Sequence, residues 1–334
     1  MSETTLGQVP LDEAAPGSRI AGASAAGSGL AWGLAAAAAW GLTSLLTLAW
    51  PDAAEFTYTS LFGWGLGGIA ALIAGVALFA HGHVRGAAPW LVTLAVFFGL
   101  WELLSAKLIW LPQPFFPPPQ SLIEVYIDDW PRLGLSALYS LRLLAVGYAV
   151  GALVGFGVGI AMGWSKAASY WIHPVLRFIG PLPAVAWLPL AFFAFPSSWS
   201  ASVFLIALAT GFPVAILTWS GVAAVPSAYY DVARTLGANG RFLVLKVAIP
   251  AAMPSVFVGL FMGLGASFAV LIVAEMLGVK AGLGWYLQWA QGWAAYANMY
   301  AALIVMSIVC SGLVGLLFRV RDRLLGWQKG LVRW

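Results

Sequence analysis

Residues 226–250 read PSAYYDVARTLGANGRFLVLKVAIP. The stretch holds one acid, Asp231, and three bases, Arg234, Arg241 and Lys246, between two long apolar segments that carry almost no charge. A charged side chain at a bilayer centre costs about 2.5 to 3.5 kcal/mol even on insertion scales, so this stretch belongs outside the hydrocarbon. Its basic balance sets it on the cytoplasmic side. Local chemistry predicts a short helix, a glycine turn and a second short helix. Ser227 after Pro226 is placed to cap free amide groups, with Asp231 near the positive end of the dipole. Tyr230, Ala233 and Leu236 share one face. Gly237 and Gly240 around Asn239 stop the helix, Gly237 in an open or left-handed conformation, and Arg241 to Val247 resume the helical pattern until Pro250 starts the next segment. By composition alone this is an ordinary amphipathic connector.

The 334 residues are 62% hydrophobic and 8% charged, against roughly 45 to 50% and 25% in soluble domains. Such a chain is an all-α integral membrane protein, because lipid leaves backbone groups no partners outside the helix, and nothing alternates with the ten-residue pattern of a membrane barrel. Apolar runs of spanning length lie at about 29–50, 60–80, 89–111, 135–163, 171–195, 200–224, 250–278 and 296–318, giving about eight transmembrane helices. No internal repeat is visible. The first 27 residues, rich in Gly, Ala, Ser and Pro, read as a disordered cytoplasmic tail rather than a secretory signal.

With the 226–250 stretch inside and the spans alternating, twelve bases lie at the cytoplasmic side: Arg19, Arg85, Lys166, Arg177, Arg234, Arg241, Lys246, Arg319, Arg321, Arg323, Lys329 and Arg333. Four lie outside: Lys107, Arg132, Arg142 and Lys280. That asymmetry follows the positive-inside rule and puts both termini in the cytoplasm. The net charge of +4 then marks loop placement and not nucleic-acid binding. Cys310 is the only cysteine, so no intrachain disulfide forms, and His81, His83 and His173 lack partners at metal spacing.

Several intramembrane features carry weight. Gly147, Gly151, Gly155, Gly159 and Gly163 recur every fourth residue and line one helix face, where another backbone can approach closely. Pro174, Pro181, Pro183, Pro189 and Pro213 kink or break two spans, which suits either a central pathway or plain packing. Glu102 is close to Lys107, and a local ion pair accounts for it. Glu275, near the external end of its span, is either a pathway residue or a snorkelling or polar-bonded structural one.

The opening stretch resembles the EAA loop of ABC importer permeases. Asp231, Val232 and Ala233 stand at the first triplet, Gly237 follows three residues later, and Val247 to Pro250 close the pattern after nine more. The resemblance extends over about 89–330 and narrows to the nitrate, sulfonate and taurine group, through PFFPPPQSL at 114–122, SLRLLAVGYAVGALVGFGVGIAMG at 140–163, HPVLRFIGPLPAVAWLPL at 173–190 and IVAEMLGVKAGLGWYL at 272–287. It implies a six-helix type I importer core at 85–330 and an extra hairpin at 28–84. It implies too that Tyr230, Asp231, Ala233, Arg234, Leu236, Gly237 and Pro250 couple to a separate cytoplasmic ATPase subunit, with Glu275, Pro183 and Pro213 as pathway or structural residues. The implied assembly is two permease copies, two ATP-binding subunits and a periplasmic solute-binding protein in the bacterial inner membrane, the partner subunits binding ATP and magnesium. This chain has no G-x-x-x-x-G-K-[ST] loop and is not itself an enzyme. Bicarbonate, thiamine precursors and aromatic acids are alternative cargoes. An ion-coupled secondary transporter is the competing class, for which only Glu102 and Glu275 are available.

Overall fold

The computed structural model describes residues 17–79 and 81–328, with side chains at 30–79 and 86–327. Lys329 and Arg333, and the side chains of Arg19, Arg85, His81 and His83, lie outside the described residues. Every regular element among the described residues is helical. Seven helices are long and apolar enough to cross a membrane, and one bent pair qualifies if taken as a single span. Of the expected tail, residues 1–16 fall outside the description, whereas Gly17 onward is already helix. After Pro16 the sequence is rich in alanine and has no proline to stop a helix before Pro51.

The chain divides into two compact units, Met1–Glu124 and Val125–Trp334. The first contains α1 (Gly17–Ala49), α2 (Thr59–Phe79) and α3 (His81–Glu102), the last continued by a π turn over Leu103–Lys107. Its core joins Ala36, Trp40, Phe62, Leu66, Ile73 and Ala95. The unit is therefore a three-helix body that takes in α3, and not the two-helix hairpin at 28–84 that the extent of the resemblance implied. The reason lies on α1. Trp40 Nε1 donates to Leu91 O at 3.0 Å, and Thr43 Oγ1 to Ala95 O at 3.2 Å, tying α1 to α3. Interhelical bonds of this kind hold helices together where lipid offers no hydrophobic drive. Ser44 Oγ donates to Gly63 O at 2.7 Å on α2. At the far end Lys107 Nζ is buried against Thr47 O, Trp50 O and Asp52 Oδ1 at 2.9, 2.5 and 2.6 Å. Its expected partner Glu102 lies further off, at 3.7 Å.

The second unit is built on α5 (Trp130–Trp164), which follows α4 (Pro119–Asp128). The four-residue glycine repeat lies against α8 (Ser198–Ala223): Gly147 faces Ile206, Gly155 faces Gly211 and Gly163 faces Val222. The numbers rise together, so α5 and α8 run parallel. A Cβ at Gly151 would stand 2.8 Å from the Ala207 Cα, which identifies backbone approach as the purpose of the repeat.

Two parallel helices in succession require the chain between them to recross. It does so as α6 (Lys166–Ile179), a 3₁₀ turn over Ala184–Trp187 and α7 (Leu188–Ala194), bent by 88°. The path climbs back along α8: His173 meets Trp219 edge to face with centroids 5.0 Å apart, Gly180 meets Phe212, and Phe195 meets Phe204 at 4.9 Å. The fifth expected span is thus broken, as its prolines lead one to expect. Pro183 starts the turn at φ −57°, ψ 137°, extended values that end a helix.

Next come α9 (Ser227–Thr235), α10 (Gly240–Phe242), a π segment over Leu243–Ala248 and α11 (Ile249–Leu277). Gly221 faces Ser255 and Gly263 faces Thr210, so α11 runs antiparallel to α8. The short α12 (Leu283–Gly292) precedes α13 (Tyr296–Leu324). Tyr286 of α12 donates to Asp129 Oδ2 at 2.7 Å, and Asn298 of α13 donates to Tyr286 Oη at 2.7 Å, which clamps the starts of α5 and α13 together. Burial first, and the nearby Asp129 second, raise the Tyr286 hydroxyl above its ordinary range and keep it a donor. The bases Arg319, Arg321 and Arg323 then share an end of the unit with α9.

Candidate functional site

The loop between α8 and α11 sits where α5 ends. Tyr230 stands edge-on to Trp164, centroids 6.0 Å apart, and packs against Val222, Ala248 and Ala252. Burial raises the Tyr230 hydroxyl above its ordinary range. Ala233 is half-buried on the same side. Leu236 does not share that face. The helix closes at Thr235, and Leu236, at φ −90° and ψ 11°, turns outward and is 84% exposed. With Tyr229 and Val232, also exposed, it forms an apolar outer surface on an otherwise polar element.

Other local expectations change too. Helix α9 begins at Ser227 with Pro226 as its N-cap residue and no side-chain cap, so Ser227 lies inside the first turn. Asp231 lies past that turn and pairs with Arg234 at 3.3 Å, both exposed. Gly237 has φ +83°, and its amide donates to Arg234 O at 2.9 Å, closing the helix through the left-handed region. Asn239 accepts from Phe242 N at 2.9 Å, an N-cap on the next helix. That helix does not stop at Pro250. It runs through the π segment straight into α11, with Pro250 in the first turn of α11. Proline lacks the N–H that the preceding turn would bond, and widening that turn to π spacing accommodates the loss.

At the other end of the unit Glu275 is 1% exposed and accepts at Oε2 from Ser140 Oγ and from Gly284 N, both at 2.8 Å. Ser140 Oγ in turn accepts from Leu283 N at 2.7 Å. The carboxylate thus occupies the N-terminus of α12, where free amides gather. Gly282, φ +111°, lets the backbone pass directly against the Glu275 carboxyl. Snorkelling is excluded by this burial. Sequence reasoning missed Ser140 and the amides of Leu283 and Gly284; the flanking glycines at 282 and 284 were the available signal. Pro213 lies within an unbroken α8, next to the contact of Gly259 with Val214. Among the described residues no group of three His, Cys, Asp or Glu side chains is arranged to hold a metal.

The sequence pattern of the family described as binding-protein-dependent transport system inner membrane component matches residues 151–326. This chain belongs to that family. The match to the inner membrane component runs from the α5 glycine repeat through α9 and Glu275 to the end of α13. The chain is 31% identical over 175 residues to a nitrate import permease of Synechococcus elongatus, an alignment covering 49% of this chain and 62% of that one. It is 34% identical over 113 residues to a bicarbonate transport system permease of the same species, covering 34% and 41%. It spans less than two thirds of the length of these relatives. An inward-facing methionine ABC transporter structure superposes with TM-score 0.47 at 17% identity, over 62% of this chain and 99% of that one.

Proposed function

We propose that this inner membrane component is the permease subunit of an ATP-driven importer, forming the path for a small anion of the nitrate, sulfonate or taurine type. The supporting observation is α9: a short helix outside the hydrocarbon, anchored inward by Tyr230 on Trp164, with an exposed apolar surface of Tyr229, Val232 and Leu236 turned away from the body. Such a surface suits a groove on a cytoplasmic ATP-hydrolysing subunit that also binds the nucleotide and magnesium. Two copies of the chain, two such subunits and an external solute-binding protein make up the working assembly. The relatives that import nitrate and bicarbonate support a small oxyanion as cargo. On this reading α9 and the Arg319 to Arg323 cluster face the cytoplasm of the bacterial inner membrane and both termini lie inside. Glu275 fixes the external end of the path, with the break at Pro183 and Pro213 within α8 as further pathway or structural residues. The test is uptake into vesicles carrying the chain and its ATPase partner. ATP inside the vesicle-equivalent cytoplasm is expected to drive uptake with no ion gradient, and uptake driven by a gradient without ATP sinks the proposal.

A further inference from the structure

Glu102, at the end of α3, and Gln120, in the first turn of α4, are both buried, 0% and 1% exposed. Gln120 Nε2 donates to Glu102 Oε1 at 3.4 Å, and that bond leaves one oxygen over on each side chain. Neither Glu102 Oε2 nor Gln120 Oε1 has a donor among the described residues. A buried oxygen without a donor is costly in a native structure and asks for a partner. Lys107 cannot supply one. An ammonium has three hydrogens, and those of Lys107 go to Thr47 O, Trp50 O and Asp52 Oδ1, at 2.9, 2.5 and 2.6 Å. Glu102 Oε1 stands 3.7 Å from that ammonium, too far for a hydrogen bond. Asp52 and Lys107 are the charged groups facing Glu102 among the described residues, one of each sign and bonded to each other. An ionised Glu102 would therefore be a third charge without a counter-ion, which is costly in a low-dielectric interior. The turn that follows it, Leu103–Lys107, is a π turn, a form found frequently at functional sites.

We infer that Glu102 carries a hydrogen on Oε2 and donates it to Gln120 Oε1, so that one proton latches the start of α4 to the end of α3. The hydrogen closes the ring that a carboxylic acid forms with a primary amide, N–H to the acid's carbonyl oxygen and O–H to the amide's. Both leftover oxygens are then served by a single atom, and the charges that remain, Asp52 and Lys107, cancel. Without it two acceptors oppose one another, and the latch keeps a single long bond. Holding this proton as part of the fold also takes Glu102 out of the groups free to couple an ion gradient.

The test uses the full-length chain in lipid nanodiscs, by infrared spectroscopy and thermal melting. At neutral pH the difference spectrum of the unaltered chain against Glu102→Gln is expected to contain the carbonyl stretch of a protonated carboxyl group. That band is expected to move in Gln120→Leu, where the O–H loses its acceptor. Glu102→Gln offers an oxygen to Gln120 Nε2 and an N–H to Gln120 Oε1, so its melting midpoint is expected within about 2 °C of the unaltered chain. Asp52→Asn leaves Lys107 without its counter-charge and is expected to lower the midpoint by about 4 °C or more. A difference spectrum with carboxylate bands alone, the signature of an ionised Glu102 served by water or paired with Lys107, overturns the inference. So does a midpoint in Glu102→Gln as low as in Asp52→Asn, because an amide in place of a true ion-pair partner would strand the same ammonium.

Discussion

Trp164, the last residue of α5, meets Tyr230 of α9 ring edge to ring face at 6.0 Å, which joins the short helix of the α8–α11 connection to a helix of 35 residues. An aromatic pair of this geometry contributes about 0.5 to 1.5 kcal/mol beyond the area it buries.

Tyr230→Ala is therefore expected to leave the chain inserted and stable but to loosen α9 from its seat. In the assembled transporter, solute-stimulated ATP hydrolysis should fall several-fold while basal hydrolysis persists. Tyr230→Phe should behave as the unaltered chain, since the hydroxyl makes no bond at the contact. Equal stimulation in Tyr230→Ala would remove the ring pair from coupling.

Gly237 has open space where a Cβ would stand, so its requirement is conformational alone. A side chain in the left-handed region costs about 1 to 2 kcal/mol. Gly237→Val is expected to give normal membrane levels, weak retention of the ATPase subunit on co-purification and little uptake. Gly240→Ala, at a helical start with nothing nearby, should be close to neutral. Full retention in Gly237→Val would reduce the loop to a connector.

The glycine repeat makes a contrast within one helix. A Cβ at Gly151 collides with the α8 backbone, whereas one at Gly157 meets nothing within 4 Å. Overpacking a tight contact costs about 1 to 3 kcal/mol where neighbours relax, and here the neighbour is main chain. Gly151→Val should lower the thermal midpoint in detergent by several degrees and Gly157→Val should not, as read by a fluorescence melt.

Removing the Glu275 carboxyl strands two donors, Ser140 Oγ and Gly284 N, at about 1 to 3 kcal/mol for each unpaired buried group. Glu275→Leu is expected to assemble poorly and Glu275→Gln to assemble well. Uptake by Glu275→Gln should show no new pH dependence. Loss of a proton-coupled flux in that variant would reassign Glu275 to ion coupling.

Orientation can be read with single thiols. In a Cys310→Ala background, cysteine in place of Asn239 should react only from the cytoplasmic face and cysteine in place of Ser197 only from the other. Ser197 caps the start of α8 and Asn239 follows its end, so labelling of both from one side would contradict the crossing of α8.

Much of this was legible in the sequence, for identifiable reasons. Gly237 was found because only glycine takes the required turn cheaply, and the α5 repeat because five small residues at one spacing leave few other meanings. The recrossing segment is legible as apolar length interrupted by prolines, but not as a bend of 88°, since Pro181 and Pro183 fix where a helix ends and not the direction in which it resumes. Leu236 was placed on the wrong face because helical periodicity was carried one residue past the true end at Thr235. The partners of Glu275 escaped because Ser140 lies 135 residues away, and two backbone amides have no letter in a sequence. The link from α1 to α3 was hidden likewise, Thr43 and Trp40 bonding carbonyls that any residue would present.

The glycine-lined seam between α5 and α8 has a mechanical consequence. With no side chains to compress, the two helices form a stiff rod, and α5, at 35 residues, is about 50 Å long. Tilting such a rod by about 5° around its middle displaces each end by roughly 2 Å in opposite directions. A push delivered at Tyr230 therefore arrives at Ser140, about 10 Å beyond the middle against about 25 Å for Trp164, as a movement of opposite sense and under half the size, without any side chain along the way having to change its rotamer.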